Sequence, residues 1–391
     1  MLQKRDILVF GDDWGRYPST IQHIGRVLAK HNRIFWIGSL GLRKPTLGLY
    51  DVKRVWEKGK NLLASAPAGT DPQGVIKIHP LVLPFHDSRI VRDVNAVNIR
   101  RAIRSVFRHY AVWNPVLLTS SPIVGDLIGS LGETSSHYFC LDDYTLFEGA
   151  FESLGTLEKQ LIARVDSCFS ISDTLLNTRR VRTGFSVLLP QGVDTEHFKP
   201  GSDPLPATVA NLPHPVVGFF GLLTSWVDLS LIAECARRYP AYTFLVLGRT
   251  AVDVSALTSV PNVRYLGEIP FGVLPQYARA FDAGLIPFKV NDLTIACNPL
   301  KLLEYLSLGI PVVSTKLPEV EKFSPAVMVA HDREDFISMI EPALRSRSPE
   351  RDLERRHVAE RYSWTTITEE VSRVILRIEE EKDLRRESGG A

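Results

Sequence analysis

The chain has 391 residues, 45% of them apolar and 23% charged, with a formal net charge of +2, which suits two globular cores better than one. No apolar run approaches the roughly 20 residues of a membrane-spanning helix, and no signal-peptide core follows Lys4, Arg5 and Asp6. The four cysteines, Cys140, Cys168, Cys235 and Cys297, form no CxxC pair, so they read as reduced core thiols of a cytoplasmic protein rather than a disulfide frame or zinc site.

Along the chain, short apolar runs alternate with amphipathic stretches, the pattern of βα repeats and a parallel sheet. In the first half, strands are expected at 6–10, 33–38, 75–79, 116–119, 137–141, 167–171 and 187–190. Residues 19–30 put Ile21, Ile24, Val27 and Leu28 on one helical face. His23 in that helix reads as structural. In the second half, strands are expected at 216–221, 243–248, 263–266, 283–286, 311–314 and 327–330. Helices are expected at 228–239, 270–281, 299–308, 333–344 and 350–362. The Pro-rich stretches 201–207 and 211–215 read as a linker. The domains are therefore expected at 1–200 and 201–363, with a final helix at 364–391.

No strand is followed by GxGxxG, and no GxxxxGK[ST] occurs, which argues against NAD, FAD and P-loop ATP. The most informative segment runs from Asn298 to Thr315. Asn298 suits an N-cap and Pro299 the first helical position. A helix starting there offers its free amides to an anion such as a diphosphate. Lys301 adds a positive charge in the first turn. Glu304, three residues on, shares its face and could accept two vicinal hydroxyls, as on a ribose. The alternative is an ordinary Lys301–Glu304 surface ion pair. After the first strand of this half, Gly218 and Gly221 would let the backbone approach a phosphate or sugar, or simply pack tightly. Arg249 follows the next strand and could meet an anion or form a surface salt bridge.

The run Pro299-x-Lys301-x-x-Glu304-Tyr305-Leu306-x-x-Gly309-x-Pro311-Val312-Val313 resembles the nucleotide-sugar helix of GT-B-fold glycosyltransferases. It is similar above all to glycosyl transferases group 1 and to bacterial exopolysaccharide and teichuronic acid enzymes. Further stretches resemble the same family in the same order: Asp166–Ser172, Gln191–Pro200, Val216–Gly221 and Ala359–Trp364. The resemblance is good over roughly 165–375. It implies an α/β fold of GT-B architecture, two Rossmann-like domains facing a central cleft. It also implies that Glu304 holds the ribose, with Asn298, Leu300 and Lys301 beside the diphosphate and Gly267–Phe271 framing the base. Two departures stand out. Ala296 occupies a position where many members carry Glu, and Leu222–Asp228 lacks the Arg and Lys that usually grip the diphosphate. Charge compensation then falls to Lys301, Arg249 and backbone amides.

In the first half, Asp142 and Asp143 follow an apolar strand, where a base for an acceptor hydroxyl is expected. Asp142 is preferred, since Asp143 is also placed to cap the next segment. Asp12, Asp13 and Trp14 follow the first strand and are expected on the acceptor side, Trp14 either stacking on a sugar or packing under its loop. Residues 1–110 hold 19 Lys and Arg against 8 Asp and Glu. Within them, 88–110 carries Arg89, Arg92, Arg100, Arg101, Arg104 and Arg108 among Ile90, Val94, Val97, Ile103 and Phe107. This stretch reads either as a helix on an anionic membrane surface or as a domain helix with solvated arginines. No nucleic-acid recognition motif accompanies it.

These readings converge on metal-independent transfer of a sugar from a nucleotide diphosphate sugar to a glycan or lipid-linked acceptor in cell-surface polysaccharide synthesis. No cofactor is expected, and a UDP-sugar is favoured over a GDP-sugar. The enzyme is expected in the cytoplasm or peripheral on the inner membrane face. The alternatives are a nucleotide-sugar epimerase of the same fold and a catalytically silent carbohydrate- or protein-binding module.

Overall fold

The apolar runs become strands buried on both faces, as in parallel sheets covered by helices. The structure is a computed structural model that describes residues 1–15, 18–41, 71, 74–181, 184–201 and 203–388. Its first sheet contains β1 (Asp6–Phe10), β2 (Arg33–Ile37), β3 (Val75–Ile78), β4 (Val116–Thr119), β5 (Ser135–Cys140), β6 (Ser167–Ser170) and β7 (Phe185–Leu188). These pair in parallel in the order β3-β2-β1-β4-β5-β6-β7. The second sheet contains β8 (Val216–Phe220), β9 (Thr243–Leu247), β10 (Val263–Tyr265), β11 (Ala283–Ile286), β12 (Val312–Thr315) and β13 (Val327–Ala330), in the order β10-β9-β8-β11-β12-β13. In each sheet the winding reverses once, between β1 and β4 and between β8 and β11. Crevices outside the carboxyl ends of such switch points are where open α/β sheets bind ligands.

The chain divides into two compact units, Met1–Leu189 with Ile367–Ala391, and Pro190–Thr366. The first therefore ends at 189 rather than at 200. The segment after it already bonds within the second unit: Val193 bridges Ser363, and the Val193 amide donates to the Tyr362 carbonyl at 2.9 Å. Phe198 is buried in the second core. The final helix, Trp364–Ser388, packs from Ile367 onward with the first unit. There Glu379 accepts from Arg5 and Thr134, and Lys382 pairs with Asp166 at 2.7 Å.

Two expected helices are broken, each at a proline that cannot donate and whose ring crowds the carbonyl four residues back. Residues 270–281 form a 3-10 turn, Phe271–Val273, then a short helix, Leu274–Ala278, with Pro275 in its first turn. Residues 333–344 split into Arg333–Ser338 and Ile340–Arg345, with Pro342 in the first turn of the second piece. His23 is buried inside the Thr20–Ala29 helix, in keeping with a structural role.

Candidate functional site

The second unit's site is built from the inside outward. Tyr305 is fully buried beneath β8 and β11, with Gly284 leaving room for its ring. Its hydroxyl accepts from the Phe220 amide at 3.1 Å. That bond fixes the Leu300–Ser307 helix against β8, and Lys301, one turn earlier on the same face, is carried to the end of the strand. The ammonium lies 5.5 Å from the Phe219 ring centre and 4.5 Å from that of Phe288. A side chain at Gly221 would stand 3.1 Å from the Lys301 Cε. Lys301 thus sits at the β8/β11 switch point.

Its charge is held in an unusual state. Lys301 and Glu304 are both half-buried. Neither forms an ion pair among the described residues, so the surface-pair alternative does not hold. Burial pulls the Lys301 ammonium below its ordinary value, only partly opposed by Cys297 and Glu304. Burial pushes the Glu304 carboxyl up to about 7, against the attraction of Lys301. Among the described residues the Glu304 carboxylate has no hydrogen-bond partner, so its lone pairs remain available to a ligand's hydroxyls. Desolvated charges left without protein partners are costly, and they concentrate at functional sites.

The backbone around Lys301 is shaped by three glycines, one after each of three neighbouring strands. Gly221, Gly248 and Gly267 have φ of +135°, +143° and +72°. The Gly221 amide donates to the Leu247 carbonyl at 3.0 Å, and the Gly248 amide donates to the Gly267 carbonyl at 2.6 Å. A Cβ at Gly248 would fall 1.8 Å from the Gly221 carbonyl oxygen. Only glycine fits there. The closeness of Gly248 was missed in the sequence, although Gly221 and Gly248 each directly follow an apolar strand. Gly218 plays another part: a Cβ there would meet the Phe281 ring at 2.2 Å, so it serves tight packing against the segment that leads into β11.

Asn298 is buried, but it does not cap the helix. The helix begins at Leu300, with Pro299 at the cap position and no side-chain capping bond. The first-turn amides still point out of the helix start. Arg249 is exposed at the end of β9 and forms no salt bridge among the described residues, leaving its guanidinium open to an anion. Within Gly267–Phe271, Phe271 stacks on His197 at 4.4 Å, and its carbonyl bonds the His197 Nε2 at 2.9 Å.

In the first unit the two adjacent acids have separate environments. Asp143 caps a short turn by accepting from the Thr145 amide and hydroxyl, and pairs with Arg179 at 2.7 Å. Although burial alone would raise it, these bonds hold its carboxyl below the usual range. Asp142 lacks such support. Burial, with Asp12 and Asp143 nearby, pushes its carboxyl up to about 7. The two neighbouring acids are thus shifted in opposite directions, Asp143 being held by Thr145 and Arg179. Arg179 also approaches buried Glu158 at 3.4 Å, which accepts from the Tyr138 hydroxyl at 2.7 Å. That network was not legible in the sequence, because its members lie on different elements.

Of the expected acceptor-side residues, Asp12 is exposed at the end of β1, electrostatically in reach of Asp142. Asp13 accepts from the Ser39 amide at 3.0 Å and so braces the end of β2. Trp14 takes the packing alternative. It lies edge-on to Trp36 at 4.5 Å, with Arg26 over its ring, and its indole donates to Asp71 at 3.0 Å. Among the described residues no cluster of His, Cys, Asp or Glu could hold a metal ion.

Residues 214–346, which carry Gly221, Arg249, Lys301 and Glu304, match the model of the family described as glycosyl transferases group 1. The resemblance to that family read from the motifs is borne out over this segment. A Bacillus subtilis protein described as a teichuronic acid biosynthesis glycosyltransferase, TuaH, is 30% identical over 228 residues. That match covers 55% of this chain and 57%, little more than half, of TuaH. Among solved structures, sucrose-phosphate synthase from Thermosynechococcus elongatus superposes with a TM-score of 0.68 at 14% identity, covering 96% of this chain and 99% of that one. Anabaena HepE in complex with UDP-glucose gives 0.66 at 13%, covering 95% and 99%. These likenesses bear out the α/β fold of GT-B type.

Proposed function

We propose that the chain is a glycosyltransferase that takes a nucleotide diphosphate sugar as donor, with a UDP-sugar favoured. The observation that carries this reading is the Lys301–Glu304 pair. Two half-buried charged groups, without ion-pair partners among the described residues, stand one turn apart at a switch point. They lie inside the segment that matches the family model. Glu304 would accept the two ribose hydroxyls. Lys301, the helix start with Leu300 and Asn298, and Arg249 would face the diphosphate. Stabilising the charge that grows on the departing diphosphate is where such groups lower the barrier. Asp142 would take the proton of the attacking hydroxyl. No step in this scheme requires a metal. The TuaH likeness supports a glycan or lipid-linked acceptor in cell-surface polysaccharide synthesis, and the HepE–UDP-glucose complex supports the choice of base.

A panel of UDP, GDP, ADP and TDP with their sugar nucleotides, read by melting temperature, tests the reading. A ligand that binds only the folded state stabilises it by about 2.7 kcal/mol at a hundredfold excess over Kd. UDP and a UDP-sugar are expected to raise the melting temperature most. No shift with any nucleotide at millimolar concentration contradicts the proposal and favours the binding-module alternative.

A further inference from the structure

The Arg89–Tyr110 helix has two working faces. The structure divides its apolar residues between a buried and an exposed face. Asn95, Ala96, Ile99, Ile103 and Phe107 are buried against the first unit. Ile90, Val94 and Val97 are exposed, Ile90 at 77%. Ile90, Val94, Val97, Arg101, Arg104 and Arg108 follow one another at steps of four, three, four, three and four residues, so they share one helix face. Its first half is apolar and its second half basic, and all three of these arginines are exposed.

The preceding loop extends the apolar half. Asn95 accepts from the Leu83 amide at 2.8 Å and donates to its carbonyl at 2.9 Å, and the Asn98 amide donates to the Leu81 carbonyl at 3.4 Å. These bonds bind the loop along the helix, leaving Leu81 and Phe85 at 50% and 56% exposure. Exposed apolar side chains in such a cluster mark an interaction surface. The loop leaves the carboxyl end of β3, the same sheet edge that carries Asp142. Asp87 accepts from the Ser153 amide at 3.0 Å, and His86 meets Phe151 edge-on.

We infer that this face docks on an anionic lipid bilayer, the loop and Ile90, Val94 and Val97 entering the headgroup boundary while Arg101, Arg104 and Arg108 meet lipid phosphates. Charge complementarity selects this occupant. The six face positions include no carboxylate and Asp93 is the one acid of this helix, exposed at their margin, so in a second copy docked helix to helix three arginines would meet a single acid. Apolar side chains beside exposed arginines suit a surface that is greasy below and anionic above. Among the described residues no helix is long and apolar enough to cross a membrane, so the contact is one of surface binding.

The test is co-sedimentation of the full chain with vesicles of phosphatidylcholine alone or with added phosphatidylglycerol. It needs no donor, acceptor or turnover, so its failure would leave the donor-site reading standing. Binding is expected only with phosphatidylglycerol and should weaken as salt rises. Replacing Arg101, Arg104 and Arg108 together by Gln should weaken it about a hundredfold, from roughly 1 kcal/mol per basic residue. The double variant Ile90→Ser with Val94→Ser should weaken it as well. All five side chains are exposed, so an unchanged melting temperature would confirm intact folding. Equal binding to both vesicle types, no binding to either, or binding indifferent to the Arg variant would overturn the proposal. So would concentration-dependent dimerisation that the apolar variant abolishes.

Discussion

Glu304, proposed as the ribose ligand, carries a cost in stability. Burial pushes its carboxyl up to about 7, from an ordinary 4.5. A raised carboxyl favours the folded state while protonated, so its contribution is complete below pH 4.5 and is lost as pH rises through about 7. Glu304→Gln keeps the shape and removes the titration. The variant should gain stability over the parent on moving from pH 5 to pH 8, on the order of 2 kcal/mol after allowance for partial exposure. Chemical denaturation at the two pH values measures it. An identical difference at both would mean that Glu304 ionises normally, and the claim of a desolvated, unpartnered carboxylate would fall. The same reasoning separates the adjacent acids. Asp143 has its cap and Arg179, whereas Asp142 stands between other negative charges. Position in sequence could suggest two candidates, but only the partners on distant elements distinguish them.

At the scale of elements, the strand ends carry the site, and their glycines are the sharpest structural commitment. Gly248→Ala would put a methyl group into the Gly221 carbonyl and hold a non-glycine residue at φ +143°. The expected cost exceeds about 3 kcal/mol, from strain and overpacking together. A urea midpoint shifted by less than the experimental error would refute the close crossing. Strands were legible because buried parallel strands are continuous apolar runs bounded by glycine and polar residues, as at Val216–Phe220 before Gly221. Helices were less so wherever proline intervened. Pro275 and Pro342 each lie in an apolar pattern that periodicity alone reads as continuous. The helix start was misplaced by one residue for a related reason: Asn298 has capping chemistry, but it is buried and Pro299 takes the cap position. The double role of the Arg89–Tyr110 helix was hidden because its two apolar faces interleave in sequence, and only burial tells Val97 from Ile99.

For the whole molecule, charge is divided along the chain as the proposed partners would require. The first 110 residues carry the basic excess, including the arginine face offered to a bilayer. In the second unit the proposed donor site draws sparsely on positive charge: of the lysines and arginines there, only Lys301 and Arg249 are assigned to the diphosphate. The departure from the family pattern after β8 makes this sparseness consequential, since Leu222–Asp228 supplies no cation. On the proposed reading, donor recognition would depend heavily on Lys301, Glu304 and the helix start. Titration calorimetry with UDP on the parent and on Glu304→Gln tests that most directly. The account predicts saturable one-to-one binding by the parent and a loss of affinity on the order of tenfold or more in the variant, as expected when hydrogen bonds to a charged acceptor are lost. Equal affinity in the two proteins, or no heat of binding in the parent, would contradict it.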